Sequence, residues 1–471
     1  MRTRLQSMSI VGFFLTFICF VVVFGGSVLV GWLLGPKVFY YFEPQPTLSD
    51  LSKNLTVPIR NLSKLNQQLF MNAIASYKGT TTLSIKVPFL VSIAVNDGKG
   101  WKYIQRDRRH LRTLKCTKGE TYCSSVPLVH EPFIGYKDYN ITVGVPIEGD
   151  AEYKSFISRL QLEVSVIDHR FTLFELWFRF TFLILTFIVV VLFAFFMRKF
   201  KWSDWTLEQR WVAILQCGLL GFNNPFFPLE IIVSGWLPEF IDQVLLISFF
   251  ALLLYCWLVM FDALWKEASD LTFVRFYLPK AILIVLTWAL GLIVWTWTEL
   301  HRLDDAGVEV DDVPGFIFFR IVFAVLLIIY SLWMIYTVVR ACASQKKMPY
   351  LGSRLKFFGV FTLIVILITL GGALFGYLGP VKNNAAEFLS FLSLFNLYVF
   401  ILSFVYLPSK SAAYVGSSAV RMVRLDQSDE DEEDGPRDYK RATELQFDKS
   451  GEFKMDDDDD QDDVISLDDD V

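Results

Sequence analysis

Leu173-Phe-Glu-Leu-Trp-Phe-Arg-Phe-Thr-Phe-Leu-Ile-Leu-Thr-Phe-Ile-Val-Val-Val-Leu-Phe-Ala-Phe-Phe-Met197 decides the fold, because only Glu175 and Arg179 interrupt its apolar run. A helix needs roughly 20 mainly apolar residues to cross a bilayer. Six further stretches follow it: Trp211–Ser234, Val244–Leu264, Ala281–Trp297, Phe316–Val339, Phe357–Leu378 and Phe388–Leu407. Trp211–Ser234 is the most interrupted of them, by polar residues and prolines. An eighth stretch, Ile10–Leu34, precedes these and is separated from them by a mostly polar segment. With 54% hydrophobic and 20% charged residues, the chain is too apolar for a soluble protein of its length.

Charge gives the orientation. Lys and Arg collect in cytoplasmic segments near membrane spans. With the N-terminus inside, the inner segments carry Arg2 and Arg4; Arg198, Lys199, Lys201 and Arg210; Lys266, Arg275 and Lys280; Arg340, Lys346, Lys347, Arg354 and Lys356. The three short outer loops carry only Arg302 and Lys382. Both termini are therefore expected in the cytosol. The apolar run from Ile10 is longer than a usual signal-peptide core, and no clear A-x-A site follows it. An uncleaved signal-anchor is expected there.

The resulting fold class is an α-helical polytopic membrane protein with eight transmembrane helices, one plus a seven-helix bundle, and an outside β-sandwich. Residues 1–9 form a cytosolic N-terminus, 10–34 the anchor, 35–171 the sandwich, 172–407 the seven-helix domain and 408–471 an acidic cytosolic tail. Alternation over Thr82–Val95, Tyr139–Val145 and Leu160–Ile167 predicts strands, and Asn96-Asp97-Gly98 and Gly119-Glu120 predict turns. Several short strands in so small a domain suit a sandwich whose last strand runs almost directly into the second span.

Cys116 and Cys123 are the only cysteines of this segment and flank a turn. In an oxidising compartment they are expected to form a disulfide that pins one hairpin; the alternative is a pair of free buried thiols. Asn54, Asn61 and Asn140 each open an N-x-S/T glycosylation sequon, all on the side assigned as outside. Arg106, Arg108, Arg109, His110, Arg112 and Lys115 form a basic cluster. It reads either as an anionic-ligand patch or as a solvated strand edge that resists edge-to-edge pairing.

Ionisable residues within spans are costly and mark functional candidates. Glu175, Arg179, Glu230 and Arg320 all fall within about two turns of the outer face, at about 1.5 Å per residue. They read as a charged ring at the mouth of the bundle or as interfacial ion pairs. Asp262 falls near the inner face and is expected to pair with a loop base. Deeper lies Asn223-Asn224-Pro225-Phe226-Phe227-Pro228, where proline breaks the helix, with Asn396 of the last span at comparable depth. Asn223, Asn224, Pro225 and Asn396 therefore read as a candidate intramembrane pocket, or as a kinked helix joined to its neighbour by Asn hydrogen bonds.

Other chemistries find no support in the sequence. The four histidines, His110, His130, His169 and His301, all fall outside the spans or in a loop. No span carries H-E-x-x-H, paired intramembrane aspartates or G-x-S-x-G, and no Walker motif or internal repeat is visible. No catalytic residue, cofactor or metal site is assigned. The tail from Ser411 holds 21 acids against 7 bases, so it carries −14 and the rest of the chain +9. That split is a topology signal and not a nucleic-acid signal. The tail is too polar to fold. Ser428 ahead of Asp429–Asp434 is a candidate phosphorylation site, and the final Asp-Asp-Asp-Val suits cytosolic trafficking adaptors.

Local motifs add a resemblance. Gly35-Pro-Lys-Val38, Phe174-Glu-Leu-Trp-Phe-Arg-Phe180, Asn224-Pro-Phe-Phe-Pro-Leu229, Trp236-Leu-Pro238, Phe276-Tyr-Leu-Pro-Lys280, Met348-Pro-Tyr350 and Ala386-Glu-Phe-Leu-Ser-Phe391 occur in this order. They resemble the transmembrane protein 181 family, within the GOLD-domain, Wntless-like seven-helix proteins. The resemblance implies a protein of the Golgi, endosomes or plasma membrane. It also implies a bundle that accommodates lipid and a sandwich that contacts protein cargo. The expected function is a non-enzymatic receptor or cargo and trafficking factor, with membrane lipids and a secreted protein or lipid ligand as partners. The alternatives are a G-protein-coupled-type receptor, against which no Asp-Arg-Tyr-like triplet closes a span, and, ranked last, an ion channel.

Overall fold

A computed structural model describes residues 3–49, 51, 53–77, 81–146, 157–233, 235–266, 271–305, 315–344, 351–374 and 384–409. Ser428 and the rest of the acidic tail lie outside them.

Helix α1 (Ile10–Leu33) opens on Ser9, whose side chain accepts from the Gly12 amide, and runs uncharged to its end. Nine strands follow: β1 (Phe39–Tyr41), β2 (Thr47–Leu48), β3 (Leu55–Ile59), β4 (Leu69–Tyr77), β5 (Leu83–Asn96), β6 (Trp101–Cys116), β7 (Val126–Glu131), β8 (Asp138–Gly144) and β9 (Ile157–Ile167). One sheet has the order β1-β9-β4-β7, with β2 also on β9; the other has the order β3-β8-β5-β6. Leu69, Met71, Ala73 and Ala75 of β4 are fully buried while the residues between them are not. This period of two lets one face of the sheet supply the sandwich core.

Pro88 lies inside β5, a strand with neighbours on both sides, where proline is normally excluded. Its position explains the exception. β8 pairs with β5 only from Leu90 onward, so at Pro88 β5 has β6 as its ladder partner and no β8 hydrogen bond is lost.

The disulfide between Cys116 and Cys123 is present, with the Cα atoms 4.2 Å apart. Its role differs from the one expected. Cys116 ends β6 in one sheet, whereas the Cys123 amide donates to Ala75 of β4 in the other. The bond therefore fastens the crossover between sheets and not the two arms of one hairpin.

The bundle follows as α2 (His169–Met197), α3 (Leu207–Phe222), α4 (Phe227–Ile232), α5 (Trp236–Ala263), α6 (Leu278–Asp304), α7 (Phe316–Ser344), α8 (Leu351–Leu374) and α9 (Ala385–Val405). The span read as Trp211–Ser234 is thus two helices, with Asn224 at the break holding φ +45°. A single turn, Phe273–Tyr277, winds into α6 with π geometry. The first span, remote along the sequence, joins the bundle: α1 packs on α9. Gly31 and Gly35 make that approach possible, since a Cβ on Gly31 would lie 2.6 Å from the Ala386 Cα and one on Gly35 2.4 Å from the Ala385 Cβ. Gly31 lies in the last turn of α1 and Gly35 just beyond its end, so small residues stand where the two backbones meet, as they do at close helix contacts in membranes.

Helix α9 is the axis of the bundle. Leu389, Leu394, Tyr398, Val399 and Leu402 are fully buried and point in all directions around it. A helix apolar all round must be surrounded by other helices, as α9 is, or by lipid. By contrast α1, α6 and α7 turn many large apolar side chains outward, among them Leu33, Ile282 and Ile317, as spans facing acyl chains do.

Candidate functional site

The hydrogen bonds of α9 explain its central place. Ser393 shares a hydrogen bond with Ser27 of α1 at 2.7 Å, and Tyr398 accepts from Trp257 of α5 at 2.8 Å and shares one with Thr362 of α8 at 3.0 Å. Toward α3 the contacts form a ladder. Gln209 Nε2 donates to the Tyr406 carbonyl at 2.9 Å, Gln216 Nε2 to Ser403 Oγ at 2.7 Å, and Asn223 Nδ2 to Asn396 Oδ1 at 2.9 Å. Gln209, Gln216 and Asn223 are buried and spaced by seven residues, which is two helical turns and roughly 10.5 Å. They therefore stand in one line along α3.

The uppermost rung is the most connected. Asn396 Nδ2 donates back to Asn223 Oδ1 at 2.8 Å and to the Leu392 carbonyl, and Thr186 of α2 joins both amides. Thr186, Asn223 and Asn396 are all completely buried. In hydrocarbon such a closed set removes the several-kcal/mol cost of an unsatisfied amide. Each interhelical bond adds roughly 0.6–2 kcal/mol.

The four residues read as one pocket part company here. Asn223 and Asn396 close on each other, as in the interhelical alternative. Asn224, the next residue, points elsewhere because its left-handed φ reverses the chain. Its Nδ2 donates to Asp242 Oδ1 at 2.7 Å, while its own Oδ1 accepts the Phe226 amide at 2.9 Å. Pro225 is exposed. The physical reason is the helix break itself, which sends consecutive side chains in different directions.

Asn224 thereby joins an ionic cluster. Arg179 Nε donates to Glu175 Oε1 at 3.1 Å and Arg179 Nη1 to Asp242 Oδ1 at 3.2 Å. The guanidinium also lies 4.6 Å from the ring centre of Phe227. Glu230 adds its charge to the field at Arg179, and Arg320 sits on an exposed face of α7. The mouth ring is thus built chiefly around Arg179. Asp242 precedes the span expected from Val244, but the helix begins at Trp236 and so holds Asp242 inside α5. At the other end Asp262 pairs with Lys266 at 2.9 Å and Lys280 at 2.7 Å.

Among the described residues, side-chain hydrogen bonds hook the sandwich onto the bundle at three places. Lys64 Nζ donates to the Ile232 carbonyl at the end of α4, and Thr172 Oγ1 of α2 to the Leu65 carbonyl, each at 2.7 Å. The third point uses the basic cluster. Arg112 Nη1 donates to Asp305 Oδ2 at 3.0 Å, its Nη2 reaches Oδ1, and its Nε donates to the Pro127 carbonyl at 2.7 Å. His110 Nδ1 stands 3.1 Å from the same carboxylate. Asp305 directly follows α6, so the strand grips the C-terminal end of that helix. His110 and Arg112 are buried, whereas Arg106, Arg108, Arg109 and Lys115 are exposed along the free edge of β6. The cluster is therefore divided between a clamp and a solvated edge.

Two neighbouring groups on β7 are shifted in opposite senses. Burial, helped by the charge of Arg302, pulls His130 down to about 4, and burial pushes the Glu131 carboxyl up to about 7. Among the described residues no group of three or more His, Cys, Asp or Glu side chains is placed to hold a metal ion. Asn54 and Asn61 are exposed and Asn140 is half-buried within β8.

Comparison with known proteins agrees with this architecture. Residues 168–410 match the family model described as the Wntless-like transmembrane domain. Residues 53–172 match that described as the GOLD domain of TMEM181. A human protein, transmembrane protein 181, is 32% identical over 435 residues, covering 87% of this chain and 88% of that protein. By its sandwich, its bundle and this similarity along most of its length, the chain belongs to the transmembrane protein 181 family of Wntless-like membrane proteins.

Proposed function

We propose that the protein is a non-enzymatic receptor or cargo and trafficking factor of the secretory pathway or cell surface. In this reading it binds a protein or lipid ligand through its outside domain and bundle, with both termini in the cytosol. The observation that carries the proposal is the three-point junction. Arg112 and His110 hold the end of α6, Lys64 holds the end of α4, and Leu65 is held by Thr172 of α2. Helix α2 is in turn tied through Thr186 to Asn223 and Asn396. A ligand that prefers one placement of the sandwich can shift the bundle by its difference in affinity between the two placements, and by no more than that.

Affinity capture of the full chain from cross-linked membranes, with mass spectrometry of co-purifying proteins and lipids, tests the reading. Secreted or luminal polypeptides are expected among them, with lower recovery from Arg112→Met. Recovery of cytosolic proteins alone would reject it. Recruitment of a G protein on stimulation would favour the signalling alternative.

A further inference from the structure

The turn between β5 and β6 ends the sandwich on the side of the bundle. Asp138 accepts from the Asn61 amide and from Asn96 Nδ2, each at 3.3 Å, which fixes the turn next to Asn61. Asn61 stands three residues before Lys64, which holds the Ile232 carbonyl, and three residues span about 11 Å at most. The strands agree. Glu131 pairs with Leu69, and Leu69 with Val166 close to the start of α2, so Glu131 marks the bundle end of β7. From the contact of Arg112 with Pro127, β7 runs four residues to Glu131, whereas β6 runs eleven back to Trp101. The hairpin therefore reaches past the end of β7. The bundle surface it approaches, Ile232, Val233, Trp236 and Leu237, is exposed and apolar.

We propose that this hairpin end rests in the phospholipid headgroup layer beside the bundle. Trp101, Tyr103 and Ile104 stand within four residues and are 45%, 55% and 51% exposed. Tryptophan and tyrosine settle at headgroup depth, where the ring meets hydrocarbon and its polar atom meets water. Cations surround these rings. Arg60 lies 4.8 Å from the ring centre of Trp101 and Arg106 5.2 Å from that of Tyr103, and Lys99 and Lys102 are exposed. The carboxylate of the turn itself, Asp97, is occupied by the Lys99 and Gly100 amides. Rings ringed by cations match phosphates lying over hydrocarbon. An acidic protein ligand would meet the same cations, but the apolar rim beside the turn is covered by lipid, which brings a bilayer surface within reach of the rings. The contact adds a hold on lipid to the three hydrogen-bonded holds on the bundle.

Power-saturation electron paramagnetic resonance of the full chain in phosphatidylcholine nanodiscs tests the assignment. A spin label is placed at Lys99→Cys, or at Glu120→Cys on the turn beyond the far end of β6. The exposed Cys19, Cys217 and Cys342 are changed to Ser and the disulfide is kept. The label at position 99 should collide with a water-soluble nickel chelate at least about threefold less often than the label at position 120, because the headgroup layer excludes the chelate. Trp101→Glu with Tyr103→Glu should raise it to the level at position 120. Lys99, Trp101, Tyr103 and Glu120 are exposed, so these substitutions leave the core intact. Equal accessibility at the two positions in the parent chain would overturn the proposal, as would protection at position 99 that survives the two glutamates. Protection gained only on adding soluble polyglutamate would overturn it in favour of an acidic protein ligand.

Discussion

Replacing Arg112 by methionine should loosen a helix in the other domain. The Arg112 side chain is 5% exposed and meets Asp305 through two nitrogens, while the Asp305 side chain remains 28% exposed. Charge-assisted hydrogen bonds contribute roughly 1.5–3 kcal/mol each when buried. Water on the exposed side of Asp305 screens the pair, which brings the clamp to about 2 kcal/mol. That corresponds to about thirtyfold in a local opening equilibrium. The place to read it is the last turn of α6, where the Asp305 amide donates to His301 at 2.8 Å. Hydrogen exchange of the full chain in detergent should therefore accelerate about thirtyfold at residues 301–305, although the substitution lies in β6. Asp305→Asn should do the same, and combining the two should add little, because both remove one interaction. If exchange at residues 301–305 stayed within about twofold of the parent while β6 alone changed, the clamp would be internal to the sandwich and the coupling argument would fail.

Four other outcomes are expected. Asn396→Leu should destabilise the bundle by about 2 kcal/mol, the loss of its contacts with Asn223 and Thr186, and Asn223→Leu in the same chain should add less than its separate cost; detergent-unfolding curves of the four chains measure the non-additivity, and simple addition would mean the amides act independently. Cys116→Ser with Cys123→Ser should lower sandwich stability by about 2–3 kcal/mol, the loop-entropy value for so short a loop, visible as earlier proteolysis on heating. Replacing Asn54, Asn61 and Asn140 in turn by Gln should increase gel mobility in steps, and deglycosylation should erase the differences; a chain bearing no sugar would contradict the assigned orientation. The fourth concerns pH. Glu131, raised to about 7, stabilises the fold below pH 4.5 and loses that contribution as pH rises through 7; His130, lowered to about 4, stabilises above pH 6.5 and loses its contribution as pH falls toward 4. These trends oppose each other over their common range. Glu131→Gln should therefore leave a sandwich whose melting temperature rises with pH between about 4 and 6.5, and a flat profile would contradict the burial assigned to His130.

Some of this was legible along the chain because its cause is local. Hydropathy over each apolar stretch marks the spans wherever they end up packed, since the bilayer asks the same of each. Thr82–Val95 and Leu160–Ile167 alternate cleanly and appear as β5 and β9. β4, a central strand, was not recognised, because Phe70 and Ile74 on its less buried face blur the alternation and small alanines occupy part of the core face. The amide ladder has a signal in the sequence: Gln209, Gln216 and Asn223 recur at seven-residue spacing.

What the sequence alone determined is the division of the chain into apolar spans, a β domain between the first and the second of them, and an acidic C-terminal stretch. Those properties are sums over neighbouring residues. The tertiary structure decided which polar groups meet: Arg112 with Asp305, Asn224 with Asp242, and Asn223 with Asn396. The partners of the first and last pairs lie far apart in sequence, and Asn224 meets Asp242 only because the helix breaks between them. Direction and distance between side chains on different helices depend on how those helices pack, and no local pattern of residues encodes that.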